Sequence, residues 1–172
     1  MTNRPVPGKP FPELEVPLAG GGSFVLSENR PPFMTVLNVY RGLHCPRCRR
    51  QLEDFVAHLD GLTDLGADLV SVSMDPADRA EKTVAEWNLS ETRVGYGLSE
   101  EQARGMGLYI SDAIKDAENA IFAEAGLFLV RPDGTYYGGV VNTFPFMRPT
   151  AEMLIDALNM AVKGYPPRGA RV

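Results

Sequence analysis

The spacing of hydrophobic positions along this chain changes period several times, and each change marks an expected element. Leu14 to Leu18 and Ser23 to Leu26 are short runs on either side of Gly20-Gly21-Gly22, which predicts two strands joined by a glycine-dependent turn. Behind Pro31-Pro32, the run Phe33 to Tyr40 is almost continuously apolar and rich in β-branched and aromatic residues. That is the pattern of a central strand covered on both faces. The period then switches. Leu52, Phe55, Val56, Leu59 and Leu62 recur at three and four, predicting a helix that begins at Pro46 and ends at Gly66. Ala67 to Met74 reads as the next strand. Asp75-Pro76 reads as the start of a second helix, with Asp75 as an acidic cap and Val84 and Trp87 on its apolar side.

Farther on, Arg93 to Leu98 is a weaker strand pattern, and Ser99-Glu100-Glu101-Gln102 has the form of a capped helix start. Gly105 to Ala123 shows no clear period. Two glycines and scattered charges there predict a long connection with one or two helical turns, of a kind that often borders a site. Gly126 to Arg131 and Thr135 to Val141 predict a hairpin around Pro132-Asp133-Gly134. Thr150 caps a final helix with Met153, Leu154, Ala157, Leu158 and Ala161 on one face. Residues 1–12, rich in proline, predict an extended arm, and residues 166–172 a tail, which leaves residues 13–165 as the domain. Strand, helix, strand, helix, hairpin, helix is the order of an α/β, thioredoxin-like fold. The expected architecture is a central mixed sheet flanked by helices, with an N-terminal β-hairpin extension.

With 172 residues and 44% hydrophobic content, the chain can fill one α/β core, and a second full domain is not expected. The formal net charge of -5 argues against broad attraction to nucleic acid or to anionic membrane. Met1 to Pro10 lacks the apolar core of a signal peptide, and no stretch approaches membrane-spanning length, so the cytoplasm is the expected location.

The two cysteines, Cys45 and Cys48, stand three apart, so a framework of disulfides between distant segments is not available. In a reducing compartment such a pair means redox chemistry or metal binding more often than a structural link. Cys45 falls at the cap of the helix that Pro46 opens, where unpaired N–H groups and the helix dipole favour its thiolate. Cys48 lies about one turn on, placed to attack a mixed disulfide or sulfenic acid on Cys45. The expected roles are therefore attack by Cys45 and resolution by Cys48. Arg41, Arg47, Arg49 and Arg50 lie in a ten-residue segment without an acid. A helix's first turn prefers Asp or Glu, so the basic segment makes better sense beside a thiolate or an anionic substrate. Two other readings compete: a local disulfide or two inert core thiols, and a zinc site using Cys45, Cys48, His44 and His58. A closed zinc site wants four ligands, and His58 is several turns down the helix, so no metal and no cofactor are expected. His44 is a candidate for tuning Cys45 or its substrate, and His58 reads as a helix-surface residue.

These residues resemble the peroxiredoxin-like members of the alkyl hydroperoxide reductase and thiol-specific antioxidant (AhpC/TSA) family, a branch of the thioredoxin superfamily. The resemblance is carried by Tyr40-Arg41-Gly42-Leu43-His44-Cys45-Pro46-Arg47-Cys48, by Gly126-Leu127-Phe128-Leu129-Val130 with Pro132-Asp133-Gly134, and by Pro145-Phe146-Met147-Arg148-Pro149. It spans about Pro5 to Val162. It implies a thioredoxin fold, a reactive first cysteine, and reduction of hydroperoxides or disulfides at the expense of an external thiol donor, either a thioredoxin-like protein or a small thiol. Relatives often dimerise, so a homodimer is an expected partner state. The chain departs from the family pattern where a Thr or Ser, a Pro and a peroxide-binding Arg are usual: here stand Gly42, Asn38 and Ala125. Arg148 or Arg41 could supply the missing guanidinium. Three functions follow as expectations. First is a thiol-disulfide oxidoreductase cycling Cys45 and Cys48, second a thiol-dependent hydroperoxide reductase with a non-standard site. From another class comes a non-catalytic redox-sensing or binding domain. The candidate site residues are Cys45 and Cys48 for catalysis, with Arg41, His44, Arg47 and Arg148 for substrate binding or thiol tuning.

Overall fold

A strand that is apolar on both faces belongs in the middle of a sheet, and Met34–Val39 is buried at every residue. The computed structural model describes residues 4–171, so the first three residues of the expected arm and the last of the expected tail lie outside it. In chain order the strands are β1 (Glu15–Pro17), β2 (Ser23–Val25), β3 (Met34–Val39), β4 (Ala67–Val72), β5 (Arg93–Gly95), β6 (Ile110–Asp112), β7 (Ile121–Ala123), β8 (Gly126–Val130) and β9 (Tyr136–Val141). The helices are α1 (Pro46–Ala57), α2 (Leu59–Asp64), α3 (Ala77–Glu86), α4 (Glu100–Gly105) and α5 (Ala151–Val162). The main sheet runs β5-β4-β3-β8-β9. β3, β4 and β5 are parallel, while β8 runs antiparallel to both β3 and β9. This is the mixed sheet flanked by helices that the element order predicts, with the β1–β2 hairpin added at the N-terminal side.

The period of two along β3 divides the core. Met34 and Val36 face a cluster with Phe55, Leu62, Leu154 and Leu158 under α1, α2 and α5. Leu37 and Val39 face another with Leu14, Val16, Phe24 and Phe128. A third cluster lies where β3 ends, made of Tyr40, Cys45, Cys48, Leu52, Trp87, Leu89 and Val94. The cysteine pair therefore lies in packed apolar surroundings. On the other side of the sheet the arm joins the edge: Gly8 N–H donates to Tyr136 O at 2.8 Å, and Phe11 is buried with its ring 5.1 Å from that of Phe128.

Four expectations need correction. The helix expected from Pro46 to Gly66 is broken at His58, whose φ of -114 and ψ of 17 are not helical. The His58 ring takes the Asp54 carbonyl at 2.8 Å, the acceptor that the His58 N–H would use in a continuing α-helix. Asp75 does not cap α3; Pro76 holds that place, with no side-chain cap, and the Asp75 carboxylate turns inward. On α5, Ala151, Leu154, Leu158 and Ala161 form the buried face, whereas Met153 and Ala157 are exposed. Gly105 to Ala123 holds no helical turn beyond the end of α4. It forms the antiparallel β6–β7 pair, because Ile110, Ile121 and Phe122 are strand formers and the pairing buries Phe122. Ser99 and Gln102 make the expected capping box on α4, and Thr150 accepts from Met153 N–H at the start of α5. Among the described residues no helix is long and apolar enough to cross a membrane.

Candidate active site

Between β3 and α1 the chain must turn out of the sheet and start a helix within six residues. Gly42 makes this possible: its φ of +133 is a conformation that L side chains rarely adopt, and a Cβ there would lie 2.7 Å from an Asp75 carboxylate oxygen. Asp75 is fully buried and fastens the loop from beneath. It accepts from Leu43 N–H at 2.7 Å, from the Asn119 side-chain amide at 2.7 Å and from Arg79 Nε at 3.1 Å. Cys45 N–H closes the turn on Gly42 O at 3.0 Å. The loop thus delivers Cys45 to the N-cap of α1 with Pro46 in the first turn.

Cys45 Sγ accepts from Cys48 N–H at 3.3 Å, the bond expected of a capping thiolate. Cys48 Sγ accepts from Arg41 N–H at 3.3 Å and from Arg148 Nη1 at 3.0 Å. Both thiols are reduced, and both are buried, Cys45 to 1% exposure and Cys48 to 0%. The surroundings drive the two thiols apart in acidity. A hydrogen bond from the Cys48 thiol, with the Cys48 N–H and the charges of Arg148 and Arg41, pulls Cys45 down from 9.0 to about 5 against the effect of burial. Burial, together with the bond it donates to Cys45, pushes Cys48 well up, despite Arg148. Although Cys48 has the charged donor, complete burial keeps it the protonated partner. The pH dependence follows in sign: Cys45 is ionised above about 5 and neutral below it. We expect ultraviolet thiolate absorbance, taken as wild type minus Cys45→Ser, to rise by one thiolate per chain with a midpoint near 5. A midpoint near 9.0 would mean that the cap and the arginines do not act on this sulfur.

The structure separates the other site candidates. Arg41 is half-buried, with its Nε 3.3 Å from Glu124 Oε2 and its guanidinium over the Phe122 ring at 4.7 Å. Ser111 holds the other Glu124 oxygen at 2.7 Å. His44 packs its ring 4.9 Å from that of Phe122, with Nε2 3.9 Å from Glu118 Oε1, and makes no hydrogen bond to either sulfur. Burial lowers its pKa, so the neutral ring is favoured. Arg47 is exposed and stacks on Phe146 at 4.3 Å. Arg148 comes from the loop before α5 and is the one candidate whose side chain reaches a sulfur. His58, expected on a helix surface, is exposed at the α1–α2 break and pairs with Asp54.

Residues that the sequence did not assign to the site complete the surroundings. Asp75 orients the loop, Glu124 holds Arg41, and Gln51 donates to Pro149 O at 3.0 Å and so ties α1 to the Arg148 loop. The signal for Asp75 was present but ambiguous, since an Asp before a Pro reads equally as a helix cap. A cavity of about 10 Å3, room for one water-sized molecule, lies among Asn38, Gln51, Ala125, Asn142 and Arg148. Arg148 Nε and Nη2, Gln51 Oε1 and Asn142 Oδ1 are buried without partners among the described residues.

Comparison with known proteins places this geometry. No curated protein matches the sequence. Solved structures do match, across nearly the whole chain. Peroxidoxin BcpB from Mycobacterium tuberculosis is 15% identical, with a TM-score of 0.76 over 94% of this chain and 99% of that one. Reduced Prx3 from Vibrio vulnificus, solved in complex with H2O2, is 17% identical, with a TM-score of 0.74 over 89% and 98%. Peroxiredoxin Q from Xanthomonas campestris is 20% identical, with a TM-score of 0.70 over 86% and 90%. At these identities the likeness establishes the fold, which is thioredoxin-like as the element order predicted. The family model described as AhpC/TSA family matches residues 7–136, more than half of the sequence and all of the β3–Cys45–α1 segment, and on that match the chain belongs to the AhpC/TSA family.

Proposed function

We propose that this protein is a thiol-disulfide oxidoreductase that cycles between the Cys45/Cys48 dithiol and a Cys45–Cys48 disulfide. The observation that carries the reading is the pair of sulfurs at the head of α1, Cys45 at the helix cap accepting the Cys48 N–H and Cys48 under the Arg148 guanidinium. In the forward half-reaction the Cys45 thiolate attacks one sulfur of a disulfide RSSR. A Cys45–SR bond forms and RS⁻ leaves with the electron pair of the broken S–S bond. Cys48 then gives up its proton and its thiolate attacks Cys45 Sγ, expelling the second RS⁻. The dithiol has lost two electrons and RSSR has become two thiols. An external thiol donor, small or protein-borne, reverses the steps. A reducing compartment such as the cytoplasm suits the dithiol as the resting state.

Hydroperoxide reduction is the second reading, supported by family membership and by the water-sized cavity beside Arg148. There the Cys45 thiolate attacks the distal oxygen of ROOH, RO⁻ leaves and takes a proton, and Cys48 displaces hydroxide from the sulfenic sulfur. Gly42, Asn38 and Ala125 offer neither hydroxyl, ring nor guanidinium, and Arg148 approaches from a different loop. The bare dithiol therefore favours disulfide exchange.

Reduced protein mixed with glutathione disulfide, with hydrogen peroxide or with neither, then trapped by an alkylating agent and weighed over time, separates the two. Loss of two hydrogens with glutathione disulfide, faster than with peroxide, is the expected result. Faster loss with peroxide supports the second reading. Cys45→Ser should abolish the reaction; normal reaction of that variant sinks the assignment of Cys45 as the attacking thiol.

A further inference from the structure

We propose that the cavity of about 310 Å3 between the start of α1 and residues 145–150 is a subsite for the carboxylates of a low-molecular-weight disulfide and of the thiol made from it. The inference deepens the oxidoreductase reading and rests on it for the reaction, though not for the binding.

Arg47, Arg50 and Arg148 all line this cavity, with the Phe146 ring and Pro145 as its apolar wall. Arg49, one position from Arg50, is tied to Glu53 at 2.8 Å, but Arg47 and Arg50 have no ion-pair partner among the described residues. Stacking on Phe146 at 4.3 Å fixes the Arg47 plane and leaves its N–H edge to face a ligand. The one carboxylate that lines the cavity, Asp54, is already engaged. It accepts from Ala151 N–H at 2.7 Å and lies 3.3 Å from His58 Nδ1. The cavity is therefore cationic, and guanidinium forks match carboxylates in shape as well as charge. Arg148 links it to the chemistry, since Nη1 of the same side chain touches Cys48 Sγ.

Size and lining select the class. A small peptide disulfide or thiol with two carboxylates answers the two unpaired guanidinium groups of Arg47 and Arg50 within about 310 Å3, Arg148 being turned to Cys48. A long-chain acid hydroperoxide offers one charge and a tail that would have only Phe146 and two prolines to cover it. In the reductive direction the bound thiolate attacks Cys45 Sγ of the bridge. The Cys45–Cys48 bond breaks, its electron pair stays on Cys48 beside Arg148, and a second thiolate then releases RSSR and the Cys45 thiolate. Two thiols supply the two electrons.

The test uses the full chain and S-methylglutathione, which carries two carboxylates and cannot react. Calorimetry should show it binding wild type, about tenfold or more weakly to the double variant Arg47→Gln/Arg50→Gln, and unchanged to Arg49→Gln. A tenfold loss corresponds to about 1.4 kcal/mol, the range of two exposed guanidinium–carboxylate pairs. In kinetics, the ratio of the rate with glutathione disulfide to that with neutral hydroxyethyl disulfide should fall about tenfold in the double variant. No binding to wild type, or equal binding to the double variant, overturns the subsite. Arginine-dependent binding with no oxidation by either disulfide leaves the subsite standing and removes the oxidoreductase reading instead.

Discussion

Replacing Asp75 with alanine is expected to lower the thermal midpoint by roughly 10 °C and to shift the Cys45 thiolate titration toward alkaline pH. The carboxylate is fully buried and answers three donors at once: Leu43 N–H, the Asn119 amide and the Arg79 guanidinium. Alanine removes all three acceptor contacts and leaves a half-buried cation facing an apolar methyl group. Breaking a buried pair from one side costs about 3 kcal/mol or more, and each kcal/mol moves the midpoint of a chain this size by about 2–4 °C. The same three contacts join the Leu43 backbone to the 113–120 segment, since Arg79 also donates to Ala117 O at 2.9 Å. Loss of the carboxylate frees the turn that carries Cys45 to the helix cap, which accounts for the second effect. Asp75→Asn keeps one acceptor and should lose about half as much. Circular dichroism melts and thiolate absorbance of both variants give the answer. A midpoint within 2 °C of wild type for the alanine variant, a shift well below that from one broken buried pair, would show that the loop is held elsewhere.

Asp75 also marks where reading from sequence stops. The switch of period at Cys45 was legible because local forces decide it: an apolar strand, a glycine that tolerates positive φ, and a proline suited to the first turn of a helix. The capping position of Cys45 and its bond from Cys48 N–H follow from that local geometry, whereas the contribution of Arg148 to its thiolate does not. An Asp before a Pro, by contrast, looks the same whether it caps its own helix or turns inward to hold a loop 32 residues away. The arginine cluster is a similar case. In sequence it is one basic segment; in the fold Arg41 turns to Glu124, Arg47 to Phe146 and Arg49 to Glu53. Linear neighbours on a helix point in different directions, and tertiary partners choose among them. The guanidinium that meets a sulfur comes from Arg148, 100 residues away from Cys48. In sequence the run Pro145 to Pro149 carried only part of a resemblance, and packing against Gln51 and Cys48 shows what it presents.

Arg148→Leu is expected to leave the first chemical step nearly intact and to slow closure of the disulfide roughly 10- to 100-fold. Cys48 has no exposed surface and is held protonated by burial, yet it must become a thiolate to attack Cys45. The Arg148 Nη1 bond at 3.0 Å is the charged donor in place to receive that negative charge as it forms. A hydrogen bond to a charged group contributes about 1.5–3 kcal/mol, and each 1.36 kcal/mol is a factor of ten in rate. Arg148 also draws Cys45 down, but there the Cys48 thiol has the larger effect, so the thiolate midpoint should rise only modestly. The split between the steps is what distinguishes this role from a structural one. After mixing with glutathione disulfide, the variant should accumulate the Cys45 mixed disulfide, which wild type passes through too quickly to trap. Arg148→Lys, with a charge but no planar fork, should restore part of the closure rate. Equal slowing of both steps would instead mean that Arg148 holds the loop in place, and undiminished closure would mean that Cys48 ionises without it.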